Sequence, residues 1–302
     1  MSIINNAHGG SQYAVLVAFY QVLKVSPKNT LPREKLMALC APASLQTGDS
    51  ENASGKAPKE LNAWLDLGLL KEESGNNTTE ISLNARYFST KDMPLRQATR
   101  RCLLAVENNR DLNSRDERAV DLTLLAALLL ALDVYHNPEI SKRNLEQLVN
   151  HLLPDFRINS SNEAPVVPAY LSWLGFVQQI TRESYAIDPT NAIREELPFL
   201  MQLGEQLSIA EVLQRLNRAL PVLDGGSYRQ NVEDRISRKG WRPLSSDRLS
   251  TSLSRALLRL QLSGIINMDE KADASGAMQL TGIKGSVLRT VTHLTLTHTG
   301  VY

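Results

Sequence analysis

A short pattern that occurs three times along this chain of 302 residues constrains its fold more than any other feature. In each copy, a bulky apolar residue is followed after three positions by a glycine and two mostly hydrophobic residues. A glycine just past a helix end adopts a left-handed conformation at little cost and turns the chain sharply. The pattern therefore predicts three helices that end at Gly68, Gly175 and Gly264, each followed by a strand.

The chain around each of these glycines has the same predicted layout. A helix, a short strand, a polar loop and a second short strand follow one another in residues 59–84, 168–189 and 254–282. β-Branched or alternating residues beside each loop predict a two-stranded hairpin. Apolar residues at helical spacing precede the copies, over Tyr13–Val25 and Pro32–Cys40, over Val120–Tyr135 and Leu145–Leu153, and over Ile209–Val222 and Tyr228–Arg238.

This layout resembles the winged helix, the variant of the helix-turn-helix that carries a β-hairpin. We expect a mostly α protein with short β-hairpins, built from tandem winged-helix (helix-turn-helix) modules; an irregular helical bundle with incidental turns is the alternative. The low aromatic content of 5% and the Leu/Ala-rich runs favour helices over a sandwich or barrel. The expected modules are a first winged helix over 1–90, a helical connector over 91–117, a second winged helix over 118–190, and a third winged helix with a preceding helical segment over 191–302.

Motifs typical of catalysis, metal binding or cofactor binding do not occur in the sequence. The five histidines form no HExxH pair, and nothing pairs them with the two cysteines at zinc-ligand spacing. No P-loop, dinucleotide-binding fingerprint or nucleophile elbow is present; the glycine pairs Gly9–Gly10 and Gly225–Gly226 are interpreted as a flexible start and a loop. We therefore expect no enzyme activity, no metal, no cofactor and no small-molecule substrate.

The cellular location is predicted from the first residues, the cysteines and the longest apolar run. No basic segment precedes an apolar one at the start of the sequence, so no signal peptide is expected. The run Leu122–Leu132 is well short of the roughly 20 residues that span a bilayer, which predicts a buried helix and no membrane contact. Cys40 and Cys102 are too few for a disulfide framework, and we expect reduced thiols in a cytoplasmic protein.

Basic residues are concentrated near the third glycine, although the whole chain has a net charge of only +1. Residues 225–260 contain eight basic and three acidic side chains. A helical wheel over 250–262 places Leu249, Leu253, Ala256, Leu257 and Leu260 on one side. The opposite side and the preceding segment carry the residues expected to contact double-stranded DNA, which are Arg238, Lys239, Arg242, Arg248, Thr251, Ser252, Arg255 and Arg259.

The usual position of this helix and the chemistry of its side chains favour DNA contact. The third helix of a winged helix usually lies in the major groove. Arginine pairs with guanine edges or phosphates, and hydroxyl groups contact phosphate oxygens. The alternative is that these arginines form a solubilising face or bind an acidic protein surface.

Other residues are candidates for protein contacts. Residues 101–200 contain 14 acidic and 9 basic side chains, and the predicted helix over 166–174 contains no basic residue, so phosphate would be repelled there. Tyr170 and Trp173 on that helix would suit a protein interface, where aromatic residues are enriched, or else the core. Leu258 and Leu262, on the outer arc of the third helix, would also suit a protein partner.

Tandem winged helices without catalytic motifs, the opening MSIIN and the pattern of the first helix resemble the DpdG family, accessory proteins of a deazaguanine DNA-modification cluster. The resemblance covers the general layout and no diagnostic motif, so no functional residue is transferred. It implies a cytoplasmic, non-enzymatic accessory subunit of a bacterial DNA-modification or anti-phage defence complex, which binds DNA and the other subunits. A winged-helix transcriptional regulator and a winged-helix protein scaffold without DNA contact are the alternatives.

Overall fold

The computed structural model describes residues 2–7, 9–42, 51–75, 78–89, 93–114, 117–271 and 275–299. The chain divides into two compact units, Met1–Asp121 and Leu122–Tyr302. The described residues form helices and small antiparallel sheets of two or three strands, joined by turns and irregular stretches, so the protein has a mixed α/β fold.

The first unit contains one three-stranded antiparallel sheet in the order β1-β3-β2. Its helix α1 buries Leu16, Phe19, Tyr20 and Leu23, whose spacing places them on one helical face. The elements are α1 (Tyr13–Val25), β1 (Thr30–Pro32), α2 (Arg33–Cys40), α3 (Glu51–Asp66), β2 (Leu70–Ser74), β3 (Thr79–Leu83) and α4 (Leu95–Leu103).

The second unit begins within α5 and contains three further sheets, in the orders β4-β6-β5, β7-β11-β8 and β10-β9. The first of its elements are α5 (Val120–Ala131), β4 (Ile140–Ser141), α6 (Lys142–Leu152), α7 (Val167–Trp173), β5 (Val177–Gln179), β6 (Ser184–Ile187) and α8 (Thr190–Leu200). The remaining elements are β7 (Gln206–Ser208), α9 (Ile209–Ala219), α10 (Ser227–Ser237), α11 (Thr251–Leu262), β8 (Ile266–Asp269), β9 (Met278–Thr281), β10 (Val287–Val291) and β11 (His293–Leu296).

The same strand order occurs in all three of the three-stranded sheets. A short strand ahead of a helix pairs with the last strand, and the last strand pairs with the strand that follows the glycine. We call the corresponding stretches the first repeat (13–83), the second repeat (120–187) and the third repeat (190–296). Gly68, Gly175 and Gly264 follow α3, α7 and α11 with φ angles of 80°, 85° and 70°, as the sequence pattern predicts.

The predicted hairpin of the third repeat is wrong in its strand pairing. β8 pairs with β11, and β9 pairs instead with β10 in a separate two-stranded sheet. The reason is that β9 packs against α11: the Thr281 N–H donates to Ser254 Oγ at 2.9 Å, and Leu280 is fully buried. The third repeat also contains an additional helix, α10, between α9 and α11.

The Leu/Ala-rich helix α5 is buried along its length, as the sequence predicts. Apart from Asp121 and Thr123 it is apolar on all sides, so it has no amphipathic face, which is typical of a helix surrounded by protein. None of the described helices combines the length and the apolarity that crossing a bilayer requires.

Candidate nucleic-acid interface

Helix α11 begins at a capped N-terminus and packs one apolar side into the core. The Leu253 N–H donates to the side-chain oxygen of Ser250, which satisfies one of the free amides of the first turn. Leu249, Leu253, Ala256, Leu257 and Leu260 are all buried, so the predicted core face of this helix is confirmed.

The start of α11 is also covered on its other side. The Val134 N–H donates to Thr251 Oγ1 at 3.0 Å, and Ser252 Oγ donates to the Leu130 carbonyl at 2.8 Å. Thr251 and Ser252 are both buried as a result. The expectation that these two hydroxyls are open to DNA is wrong, because the chain at the end of α5 occupies that face.

The two arginines of α11 contact the second repeat. Arg255 is half-buried and donates to the Ile187 carbonyl; burial lowers its pKa, against the opposing effect of the nearby Asp188. Arg259 forms an ion pair with Asp188 and donates to Gln178 Oε1 at 3.2 Å. The arginine face predicted to contact DNA is therefore an intramolecular interface in this structure.

A carboxylate already compensates the N-terminus of α11. Asp224 accepts hydrogen bonds from the Ser250 N–H and Oγ at 2.6 and 2.7 Å. The buried Arg229 lies 3.5 Å from the same carboxylate, and its Nε donates to Glu233 at 2.5 Å. Because a helix N-terminus favours negative charge, Asp224 supplies within the chain the anion that a phosphate would otherwise provide.

Arg238, Lys239 and Arg242 are exposed, and they differ from the arginines of α11 in their lack of polar side-chain contacts among the described residues. They lie in an irregular stretch between α10 and α11, which we call the basic segment (238–247). Within the described part of the chain, the three side chains make no hydrogen bond or ion pair. The structure therefore leaves these three predicted residues accessible to a phosphate backbone.

Arg248 directly follows the basic segment. It is half-buried, and its side chain holds two elements of the fold together. Its Nη1 donates to the Gly285 carbonyl at 2.8 Å, and its Nε to Gln279 Oε1 at 3.3 Å. It thereby joins the start of α11 to the β9–β10 hairpin.

A cavity of about 1240 Å³ lies beside the basic segment within the second unit. Side chains of α9, α10, the basic segment and the start of α11 line it, among them Arg218, Arg242 and Trp241. The Trp241 indole N–H donates to the Ala131 carbonyl at 3.1 Å. Trp241 and Arg218 were not among the predicted site residues, although an aromatic residue between Lys239 and Arg242 is a detectable signal for nucleic-acid binding.

The four candidate partner residues have different surroundings. Tyr170 is fully buried and makes an edge-to-face contact with the half-buried Trp173, at 6.0 Å between ring centroids. Tyr170 is therefore a core residue, and its assignment to an interface is wrong. Leu258 is half-buried, whereas Leu262 is 87% exposed.

Neither the cysteines nor the described acidic and histidine side chains form a reactive or metal-binding group. Both cysteines are free, and burial raises the pKa of Cys40 to about 11 and that of Cys102 to about 12. Both thiols are thus protonated at neutral pH and poorly nucleophilic. No cluster of His, Cys, Asp and Glu suited to a metal ion occurs among the described residues.

Comparison with known proteins gives one match. Searches of curated proteins and of solved structures find no significant relative. A sequence model described as DpdG-like matches residues 1–274, which is most of the chain. The protein belongs to the DpdG-like family.

Proposed function

We propose that the three repeats are tandem winged helices and that the chain is a non-enzymatic, cytoplasmic accessory subunit of a DNA-modification system, which binds DNA and scaffolds the other subunits. The shared strand order and the positive-φ glycines of the three repeats support the fold assignment. Membership of the DpdG-like family, which is associated with a DNA-modification cluster, supports the role in DNA modification.

The observation that carries the DNA-binding proposal is the unpaired positive charge of the basic segment. Arg238, Lys239 and Arg242 are exposed and have no partner among the described residues. Because the start of α11 is covered, base edges are not accessible to Thr251 or Ser252. We therefore propose contacts with phosphates, which give affinity without strong sequence preference.

The test is a triple substitution of the basic segment, Arg238→Ala, Lys239→Ala and Arg242→Ala. Affinity for unrelated DNA duplexes should fall to a similar extent, because phosphate binding is independent of sequence. The slope of log affinity against log salt concentration should shrink by up to about 0.9 for each phosphate that the variant no longer neutralises. Fluorescence anisotropy across a salt series measures both quantities.

A matched triple substitution removes the same charge elsewhere. Arg118, Arg143 and Arg182 are exposed and have no partner among the described residues. Their combined replacement by alanine should leave the salt slope close to that of the wild type. An equal drop in affinity for both triple variants would mean that total charge, and not the basic segment, determines binding.

A scaffolding role is favoured by the tip of the β9–β10 hairpin. Ile283, Val287 and Leu288 are 59%, 47% and 48% exposed within six consecutive residues. Adjacent exposed apolar side chains of this size are typical of protein interaction sites. This surface lies outside the basic segment, so both roles are compatible.

Replacing Ile283, Val287 and Leu288 by serine tests the scaffold. The other subunits of the modification system should be lost from a nuclease-treated pull-down, while DNA affinity should be retained. Val25→Ser with Val106→Ser, at two other exposed apolar positions, is the control. Undiminished recovery of the subunits with the hairpin variant would rule out the tip as their docking surface.

A further inference from the structure

We propose that the cavity beside the basic segment binds an unpaired nucleotide, with its base stacked on Trp241 and its phosphate held by Arg218 and Arg242. This inference rests on the proposed DNA binding and specifies the form of DNA that the site recognises. Trp241, Arg218 and Arg242 all line the cavity.

The charges around the cavity favour a phosphate. Arg218 and Arg242 are exposed and have no hydrogen bond or ion pair within the described part of the chain. Two acidic side chains of the lining, Asp224 and Glu233, are both occupied by Arg229. Arg218 and Arg242 are thus the lining arginines that remain without a partner among the described residues.

The remaining acidic residue of the lining, Asp133, also has partners within the protein. Asp133 accepts from the Tyr135 N–H at 3.0 Å and lies 2.5 Å from His136 Nδ1. Burial by itself would raise the pKa of Asp133, but these hydrogen bonds lower it. Its negative charge is therefore directed at groups of the protein itself, among them Tyr135 and His136 of its own turn.

Trp241 is held in a way that suits stacking. Its N–H already bonds to Ala131, so the polar edge of the indole needs no partner from a ligand. The ring is half-buried, whereas Lys239, Arg242 and Leu244 around it are exposed. An aromatic ring held between basic residues is the usual arrangement for binding single-stranded nucleic acid, because every base has a face that stacks.

The form of DNA that this site can bind depends on whether a base can reach Trp241. In a duplex, neighbouring base pairs cover both faces of each base, so only an unpaired or extruded base reaches an aromatic side chain in a cavity. The cavity of about 1240 Å³ also exceeds the roughly 300–1,000 Å³ typical of small-molecule sites. It has room for a nucleotide together with the adjoining backbone.

The experiment compares three labelled probes of one sequence: a duplex, the same duplex with a short unpaired bulge, and the single strand. The wild type should bind the bulged and single-stranded probes more tightly than the duplex. Trp241→Leu should reduce that preference by roughly five- to 150-fold, as expected when one base no longer stacks. Trp241→Phe should restore most of it, because a phenyl ring still stacks.

Two further variants control for unspecific effects of the substitution and for failure of the protein to fold. Trp173→Leu removes another half-buried tryptophan of the second unit and should leave the preference for unpaired DNA unchanged. If Trp241→Leu does not fold, as judged by its thermal unfolding curve, Arg218→Ala takes its place and should weaken binding of the unpaired probes. A deoxynucleoside monophosphate, added as competitor, shows whether a free nucleotide is sufficient or a strand is required.

The possible outcomes separate this inference from the proposed function. Equal affinity for all three probes, or a preference that survives Trp241→Leu or its substitute Arg218→Ala, would overturn the inference while duplex binding stands. Absence of binding to any probe would overturn both.

Discussion

Glu60 shows how a single buried charge organises the first unit. It is buried on α3, and its carboxylate accepts from the backbone N–H groups of Gly10 and Gln12 at 2.7 and 3.2 Å. A Cβ at Gly9 would lie 2.1 Å from the Lys59 carbonyl oxygen, so only glycine fits there. The interpretation of Gly9–Gly10 as a flexible start is therefore wrong: the pair is packed against α3.

The pKa of Glu60 makes a prediction about pH. Burial raises this pKa, and the two backbone hydrogen bonds only partly oppose the effect. The folded state thus holds the proton more tightly than the unfolded state, whose glutamate pKa is about 4.3. The contribution of Glu60 to stability should be largest at low pH and decline as the pH rises from about 4.3 to the higher folded pKa.

Urea unfolding of the wild type and Glu60→Gln at several pH values between acid and neutral checks this prediction. The stability of the wild type relative to the variant should fall with rising pH and then level off. A relative stability that rises with pH would mean that the hydrogen bonds outweigh burial and that the folded pKa is lowered.

Helix α11 shows where a helical wheel is informative and where it is not. The wheel correctly identified the leucine face, because burial of apolar residues follows directly from their spacing. It failed for Thr251 and Ser252, whose hydroxyls bond to the backbone of Val134 and Leu130. Polar spacing shows that a residue needs a partner, but the partner can be water, DNA or the backbone of a distant element.

The contact between α11 and the second repeat is expected to contribute to stability. Asp188 is buried and pairs with Arg259, which is 45% exposed at its side chain, so solvent screens part of the attraction. A double-mutant cycle with Asp188→Asn and Arg259→Met should give a coupling of about 0.5–1.5 kcal/mol in urea unfolding. The exposed pair Arg86–Glu107 of the first unit, treated in the same way, should give a smaller value.

Charge reversal on α11 would not be a clean test of DNA binding by this helix. Reversing the charge of Arg255 and Arg259 would place carboxylates next to the Ile187 carbonyl and Asp188. Such a variant loses stability first, and a loss of DNA binding would not identify a DNA surface. A coupling near zero between Asp188 and Arg259 would restore α11 as a candidate.

Across the whole molecule, local features were predictable and long-range pairings were not. The glycines that end α3, α7 and α11 follow from a local backbone requirement. The pairing of β8 with β11 does not, because another hairpin separates the two strands. The cavity likewise combines residues from Ala131 to Gly285, and no spacing in the sequence brings these together.

The candidate site was therefore predicted only in part. Arg238, Lys239 and Arg242 stand out by charge, and the structure leaves them exposed. Trp241 lies between two of these basic residues in the sequence, but its place in a cavity is visible only in the folded chain. For a chain with a net charge of +1, the arrangement of a few unpaired cations matters more than their total number.

The insertion in the third repeat has a consequence for the order of folding. The sheet β7-β11-β8 closes only when two strands that flank the whole β9–β10 hairpin meet. Chain entropy opposes the closure of such a loop, and the cost is smaller when part of the loop is already compact. The β9–β10 hairpin pairs residues close in sequence, so we expect it to form before β8 meets β11 and to bring the ends of these two strands towards each other. The hairpin that interrupts the repeat in sequence should thus lower the entropic cost of closing the sheet β7-β11-β8.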